Sequence, residues 1–124
     1  MSVPLLVVDA ANVVGSKPDG WWRDRAGATA RLRDGLTQLH ATGLPDLPGP
    51  VEVVLVVEGR ARAVPAVPGV RVQPATGSGD DTIVALVAAE GAGREVVVVT
   101  ADRGLRDRVT ALGARVRGPS SVPR

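Results

Sequence analysis

The chain is poor in the side chains that carry thiol, redox and aromatic chemistry. Its 124 residues include no Cys, Tyr or Phe, two Trp and a single His. Without cysteine there is no disulfide framework, zinc–thiolate site or thiol nucleophile. No apolar stretch approaches the roughly 18–20 residues of a membrane span, and the first apolar run lacks a basic leader and contains Asp9. We therefore expect a cytoplasmic protein with no membrane partner.

Charge alone does not select a partner. The formal net charge is +2, with 15 basic and 13 acidic side chains, and the arginines are spread over several segments. This balance is compatible with a polyanionic partner such as a nucleic acid. It is equally compatible with an arginine-rich proteome, so both interpretations stay open.

Composition and periodicity predict an α/β fold. Apolar residues make up 44% of the chain, and its Val-rich blocks are typical of strands buried on both faces, as in a parallel sheet. Helical spacing of apolar residues, with glycines where the helices end, predicts the helices. The predicted strands are 3–8, 51–57, 70–72, 95–100 and 114–117, and the predicted helices are 23–41, 80–90 and 103–112.

The order of these elements predicts the architecture. Strands alternating with helices over short connections indicate a parallel sheet with right-handed crossovers. We expect a three-layer α/β/α fold with a mostly parallel central sheet, its short third strand at the edge and residues 44–50 in a proline-rich loop. We expect one domain over residues 1–118, followed by a flexible tail over 119–124.

Five carboxylates occupy positions where such a fold builds its sites. Asp9, Glu58 and Asp102 follow apolar runs, whereas Asp80 and Asp81 begin a helix. Ligands of open α/β sheets bind outside the carboxyl ends of the strands, so these acids can converge. Clustered carboxylates repel one another, and a hard divalent cation relieves that repulsion. The pattern therefore predicts an acidic metal site.

Helix capping is the structural alternative for most of these acids. Asp9 can cap a following turn or helix, and Asp102 directly precedes a predicted helix. Asp80 and Asp81 stand where a helix dipole favours any acid, and Ser78 makes a capping box with Asp81. The sequence leaves these alternatives open. For Glu58 the alternative is an ion pair with the nearby arginine at position 60.

Three short strings carry a family resemblance. They are Asp9-Ala-Ala-Asn12-Val, Gly79-Asp80-Asp81-Thr-Ile-Val and Val-Val-Thr100-Ala-Asp102-Arg103-Gly-Leu. In this order and on these elements they resemble the NYN domains of the PIN-like nuclease superfamily, in particular its small stand-alone bacterial members. The resemblance spans nearly the whole chain and implies a PIN-like fold.

The resemblance also implies an activity and a set of site residues. It implies a ribonuclease that hydrolyses RNA phosphodiesters with Mg²⁺ or Mn²⁺, single-stranded RNA being the expected partner. The implied catalytic residues are Asp9, Asp80, Asp81 and Asp102. The implied metal ligands are Asp9, Asp80 and Asp102, with Asp81 as an added ligand or base and Glu58 as the weakest match.

Four further side chains are candidate substrate contacts. Asn12 can fix the Asp9 carboxylate or contact substrate, and Thr100 adds a hydroxyl beside the Asp102 carboxylate. Arg103 can pair with a phosphate or be a surface charge. Trp21 and the tryptophan that follows it can stack on bases, although one of the two is expected to pack as core.

Two other functions compete with this one. The chain can be an RNA-binding or adaptor module of the same fold with weak or no activity. It can also be a nucleotide phosphohydrolase; the haloacid-dehalogenase type of phosphatase is disfavoured because it needs a second Asp where this chain has Ala11. The sequence does not determine the oligomeric state, a homodimer included.

Overall fold

The elements alternate along the chain as the sequence predicts. In a computed structural model, which describes residues 3–123, the strands are β1 (Leu5–Asp9), β2 (Gly43–Leu44), β3 (Leu47–Pro48), β4 (Glu52–Val57), β5 (Arg71–Pro74), β6 (Val96–Val99) and β7 (Arg115–Arg117). The helices are α1 (Ala10–Gly15), α2 (Arg25–Leu36), α3 (Leu39–Thr42), α4 (Gly79–Glu90) and α5 (Arg103–Thr110). Short 3-10 turns cover Trp21–Arg23, Gly59–Ala61 and Pro119–Ser121.

Five strands form one parallel sheet. Their order is β5-β4-β1-β6-β7, and all four neighbouring pairs are parallel. The first strand of the chain is therefore central, with β4 and β6 beside it. The strand order changes direction at β1, and such a switch point opens a crevice at the carboxyl ends of the strands. The predicted parallel sheet, with the 70–72 segment at its edge, is confirmed.

The sheet is covered on both faces. Alternate residues of a strand point to opposite faces, so Leu6 and Val8 pack in one apolar cluster with α1 and α2, whereas Leu5 and Val7 pack in another. The second cluster includes the buried face of α4 and α5. The predicted three-layer α/β/α architecture is confirmed.

The helix predicted over residues 23–41 is wrong in its extent. It begins later because Asp24 caps α2, its carboxylate accepting from the Gly27 N–H at 2.9 Å. It is interrupted after Leu36, where the Thr37 hydroxyl donates to the carbonyl of Asp34 and competes with the helical hydrogen bonds. A separate short helix, α3, then runs to Gly43, whose φ of +66° suits glycine.

Two short elements were not predicted from the sequence. Helix α1 follows β1 without a break, although its few residues show no helical periodicity. The proline-rich segment at 44–50, predicted as a loop, contains the antiparallel β2–β3 pair. That pair is held to the core because Leu44 and Leu47 are 5% and 0% exposed.

The end of the chain contributes to the core. Val122 is 4% exposed and lies in the cluster beside α1 and α2. The division into a domain of residues 1–118 and a flexible tail of 119–124 stays a prediction. Among residues 3–123, no helix is both long and apolar enough to cross a bilayer.

The central sheet should dominate stability. Leu55 on β4 is fully buried, so Leu55→Ala should lower the free energy of unfolding by about 2–5 kcal/mol through lost apolar burial and a cavity. Leu112 is 48% exposed, and Leu112→Ala should change it by less than about 0.5 kcal/mol. Urea denaturation of both variants measures the difference; equal losses would contradict this description of the core.

Candidate acidic site

Asp9 is a buried carboxylate at the end of the central strand. It is 5% exposed, the last residue of β1 and the N-cap of α1, where it accepts a long 3.4 Å hydrogen bond from the Asn12 N–H. Its other oxygen accepts from the Thr100 hydroxyl at 2.9 Å. Capping and a place at the strand end are therefore compatible roles for this residue. No cationic side chain of residues 3–123 forms an ion pair with it.

The environment of Asp9 disfavours its charge. Burial is the largest cause that raises the pKa of Asp9 from 3.8 to about 6, and the negative charges of Asp80 and Glu58 act in the same direction. The hydrogen bonds from Thr100 and Asn12 oppose this rise. A carboxylate in such a place loses hydration without gaining a positive partner. Asp9 thus carries, at neutral pH, a charge that a bound cation would stabilise.

Thr100 connects Asp9 to the loop after β6. It is 1% exposed, and its hydroxyl oxygen accepts from the Asp102 N–H at 3.1 Å while donating to Asp9. In the same loop, the Asn12 side-chain oxygen accepts from the Ala101 N–H at 2.9 Å. Thr100 is therefore buried and hydrogen-bonded on both sides, and its role as a substrate contact stays a prediction.

Asp102 is both a cap and a neighbour of the other acids. Its carboxylate accepts from the Leu105 N–H at 3.0 Å and so caps α5. It is only half-buried, and its negative charge acts on Asp80 across the crevice. The second oxygen of a capping carboxylate stays available to a ligand, so capping does not remove Asp102 from the site.

The side chains of Asp80 and Asp81, at the beginning of α4, have different surroundings. Ser78 is the cap of this helix, accepting from the Asp81 N–H, so neither acid is used as the N-cap. Burial raises the pKa of Asp80, the charges of Asp102 and Glu58 raise it further, and Arg108 lowers it. Asp80 therefore lies among the other carboxylates.

The Asp81 side chain is exposed and paired with a cation, unlike that of Asp80. Its side chain is 76% exposed and forms an ion pair with Arg108 at 3.0 Å. The two neighbouring acids thus have different surroundings. Asp80 lies near other carboxylates, whereas Asp81 forms an ion pair with Arg108. A role for Asp81 as ligand or base stays a prediction.

Glu58 directly follows β4, and its side chain accepts a hydrogen bond from the start of α4. Its carboxylate accepts from the Gly79 N–H at 2.6 Å, and the alternative ion pair with Arg60 is absent from residues 3–123. Glycine suits position 79 because a Cβ there would lie 3.3 Å from the carboxyl carbon of Glu58. The charge of Glu58 acts on both Asp9 and Asp80. Glu58 therefore belongs with the convergent acids.

The convergent acids form an open site. Within residues 3–123, no three side chains of the metal-binding types stand close enough to form a ready-made metal centre. The donor set itself fits a hard cation, since every donor is a carboxylate oxygen and the charges repel one another. The convergent acids are Asp9, Glu58, Asp80 and Asp102.

The remaining predicted contacts lie around this site. Arg103 is the exposed first residue of α5, next to Asp102. Trp21 is half-buried, whereas Trp22 is 56% exposed. The expectation that one of the two packs as core is wrong, because neither tryptophan is buried and neither lies in an apolar cluster. Arg25, whose guanidinium lies 5.2 Å from the Trp21 ring centre, was not among the candidates.

Stability should depend on pH through Asp9. An acid whose pKa is raised by folding binds its proton more tightly in the folded state, so stability falls as pH rises from 3.8 to about 6. The full cost above that range is about 3 kcal/mol. In chelator-treated protein, Asp9→Asn should remove this loss and be more stable than the parent at pH 7. Urea denaturation between pH 4 and 7 measures it; parallel profiles for both proteins would contradict the environment described for Asp9.

Comparison with known proteins supports the fold. No protein-family model and no curated protein matches the chain. Among the solved structures that do match are the crystal structures of Rae1 (YacP) from Bacillus subtilis and of a tryptophan-to-leucine mutant of it, each with a TM-score of 0.76 and 17% identity. The alignments cover 98% and 96% of this chain and 71% and 72% of those chains. With its five-stranded parallel sheet between helical layers, the chain has a PIN-like fold.

Proposed function

We propose that the protein is a metal-dependent ribonuclease that hydrolyses RNA phosphodiesters at the convergent acids. The observation that carries the proposal is the buried Asp9 carboxylate, which has like-charged neighbours and no pairing cation in the described chain. The capping of α1 by Asp9 does not account for the further acids around this position. The resemblance of the three motifs to NYN domains and the PIN-like fold support the same proposal.

Each residue of the site has a distinct role in this proposal. Asp9, Asp80 and Asp102 would hold Mg²⁺ or Mn²⁺, with Glu58 as a further oxygen donor. A bound divalent ion lowers the pKa of water and stabilises negative charge on phosphoryl oxygens. In this proposal Thr100 orients Asp9 through its hydrogen bond, and Arg103, the first residue of α5, pairs with a phosphate of the substrate.

Asp81 is the weakest member of the proposed catalytic set. Its exposure and its ion pair with Arg108 leave it less available than Asp80. We propose that it tunes the charge near Asp80 and does not hold the metal. A cytoplasmic location and a homodimeric state stay predictions from the sequence.

An RNA-binding module with weak or no activity is the second candidate. One observation favours it: the described carboxylates do not form a ready-made metal centre. In that case the fold would present RNA-binding side chains while the acids serve mainly as helix caps and loop anchors. Cleavage and binding must therefore be measured separately.

Removing single carboxylates should abolish cleavage. Asp9→Asn, Asp80→Asn and Asp102→Asn should each lower the rate of single-stranded RNA cleavage in Mg²⁺ or Mn²⁺ by about 100-fold or more, since each removes a charge on the metal site. Asn also caps helices, so Asp102→Asn retains the start of α5. Gel analysis of a labelled RNA measures the rates, beside a nucleoside triphosphate hydrolysis assay.

The matched control lies at the opposite end of the sheet. Glu95 is an exposed carboxylate directly before β6, and Glu95→Gln should retain the parent rate. If Asp9→Asn and Asp102→Asn cleave as fast as this control, the nuclease proposal is wrong. RNA that is bound but never cut would favour the binding module, and cleavage of triphosphates alone would favour a phosphohydrolase.

Metal binding should be measurable without any substrate. A cation that binds only the folded state raises the melting temperature by mass action. Mn²⁺ should therefore stabilise the parent and Glu95→Gln but not Asp9→Asn, because the latter lacks the central ligand. Thermal denaturation with increasing Mn²⁺ tests this, and an equal rise in all three proteins would argue against a metal at Asp9.

A further inference from the structure

Two neighbouring cavities lead away from the acidic site. The first, of about 390 Å³, is lined by residues that include Ala10, Trp21, Arg25 and Glu58. It adjoins the acids directly, since Ala10 follows Asp9 in the chain and Glu58 is itself one of the convergent acids. A nucleotide bound beside the acids would have this cavity next to it.

The second cavity continues from the first. It has a volume of about 470 Å³ and is lined by residues that include Trp22, Arg23, Arg25 and Arg60. Arg25 lines both cavities, so they are adjacent. We call the two together the tryptophan–arginine groove. The groove begins at the acids and ends on an exposed indole ring.

The groove has a net positive charge, although the acids Glu58 and Asp24 also line it. Arg23, Arg25 and Arg60 contribute three cations, and none of them forms an ion pair within residues 3–123. The one acid lining the second cavity is Asp24, which is used as the cap of α2. Three unpaired guanidinium groups on one surface favour a polyanion.

The aromatic side chains add a second kind of contact. Trp22 is 56% exposed, which is unusual for the largest apolar side chain on a small domain. The guanidinium of Arg23 lies 6.0 Å from its ring centre. An exposed indole ring beside arginines is the combination that binds the bases and phosphates of single strands.

We propose that the tryptophan–arginine groove binds single-stranded RNA on one side of the phosphate held at the acidic site. The nearer base enters the Trp21 cavity, the next base stacks on Trp22, and Arg23, Arg25 and Arg60 pair with the phosphates. The inference rests on the proposed function, because the acids define where the reacting phosphate lies. A duplex is excluded from this mode, since its base faces are already stacked.

The composition of the chain makes the proposal directly measurable. Trp21 and Trp22 are its only aromatic fluorophores. An oligouridylate of about 10 nucleotides should quench this fluorescence on binding, and chelator prevents cleavage during the titration. With Trp21→Leu and Trp22→Leu, each variant retains a single tryptophan that reports on its own cavity.

Variants of the groove should weaken binding while retaining the fold. Trp22→Leu and Arg60→Ala should each weaken oligouridylate binding about tenfold, and Trp22→Phe, which keeps a ring for stacking, should weaken it less. Arg60→Ala should also reduce the slope of the logarithm of affinity against the logarithm of salt concentration by about 0.7. Arg31→Ala is the matched control: it lies on α2 with Arg25 but lines a different cavity.

The outcomes separate this inference from the proposed function. Normal affinity in Trp22→Leu and Arg60→Ala overturns the groove, even if Asp9→Asn is inactive. Equal binding of a duplex, or no binding of oligouridylate by the parent, overturns it as well. Weaker binding in both groove variants supports it, even if no RNA is ever cleaved. Circular dichroism of every variant verifies that the fold is retained.

Discussion

The acidic site is organised around one unfavourable arrangement, a buried carboxylate at the end of the central strand. Asp9 lies where β1 is flanked by β4 and β6, so the carboxyl ends of three parallel strands meet beside it. The hydrogen bond from Thr100 orients this side chain but does not neutralise it. Burial of the charge is tolerated because the apolar sheet beneath it stabilises the fold independently. A site that costs stability in this way is typical of function.

The acids divide by what each one contacts. Burial raises the pKa of Asp9 and of Asp80, and the negative charges that each one meets raise it as well. Glu58, the weakest match in the sequence, is anchored on the Gly79 N–H and interacts with both of them. Asp81 matches a family motif but has Arg108 as its partner. The sequence motifs match Asp81 better than Glu58. The contacts instead place Glu58 among the convergent acids and pair Asp81 with a cation.

Positive and negative surfaces meet at the mouth of this site. The acids suit a cation, whereas the tryptophan–arginine groove suits the phosphates and bases of a single strand. An RNA strand crossing the boundary would have its reacting phosphate at the acids and its neighbouring nucleotides on Trp21 and Trp22. Glu58 lies at the boundary, since it lines the groove and also acts on Asp9. This division accounts for a small net charge in a proposed RNA-binding protein.

The sequence by itself determined the α/β class, the parallel sheet and the positions of Asp9, Asp80 and Asp102, because strands and helices follow local periodicity. It did not predict helix α1 or the β2–β3 pair, which are too short for any period to be visible. It favoured Asp80 over Asp81 for the crevice, but it left open whether Glu58 would pair with Arg60 and whether Asp9 and Asp102 would only cap helices. Those choices depend on contacts between residues far apart in the chain. Only the tertiary structure decided them, since it alone brings the carboxyl ends of β1, β4 and β6 to the start of α4.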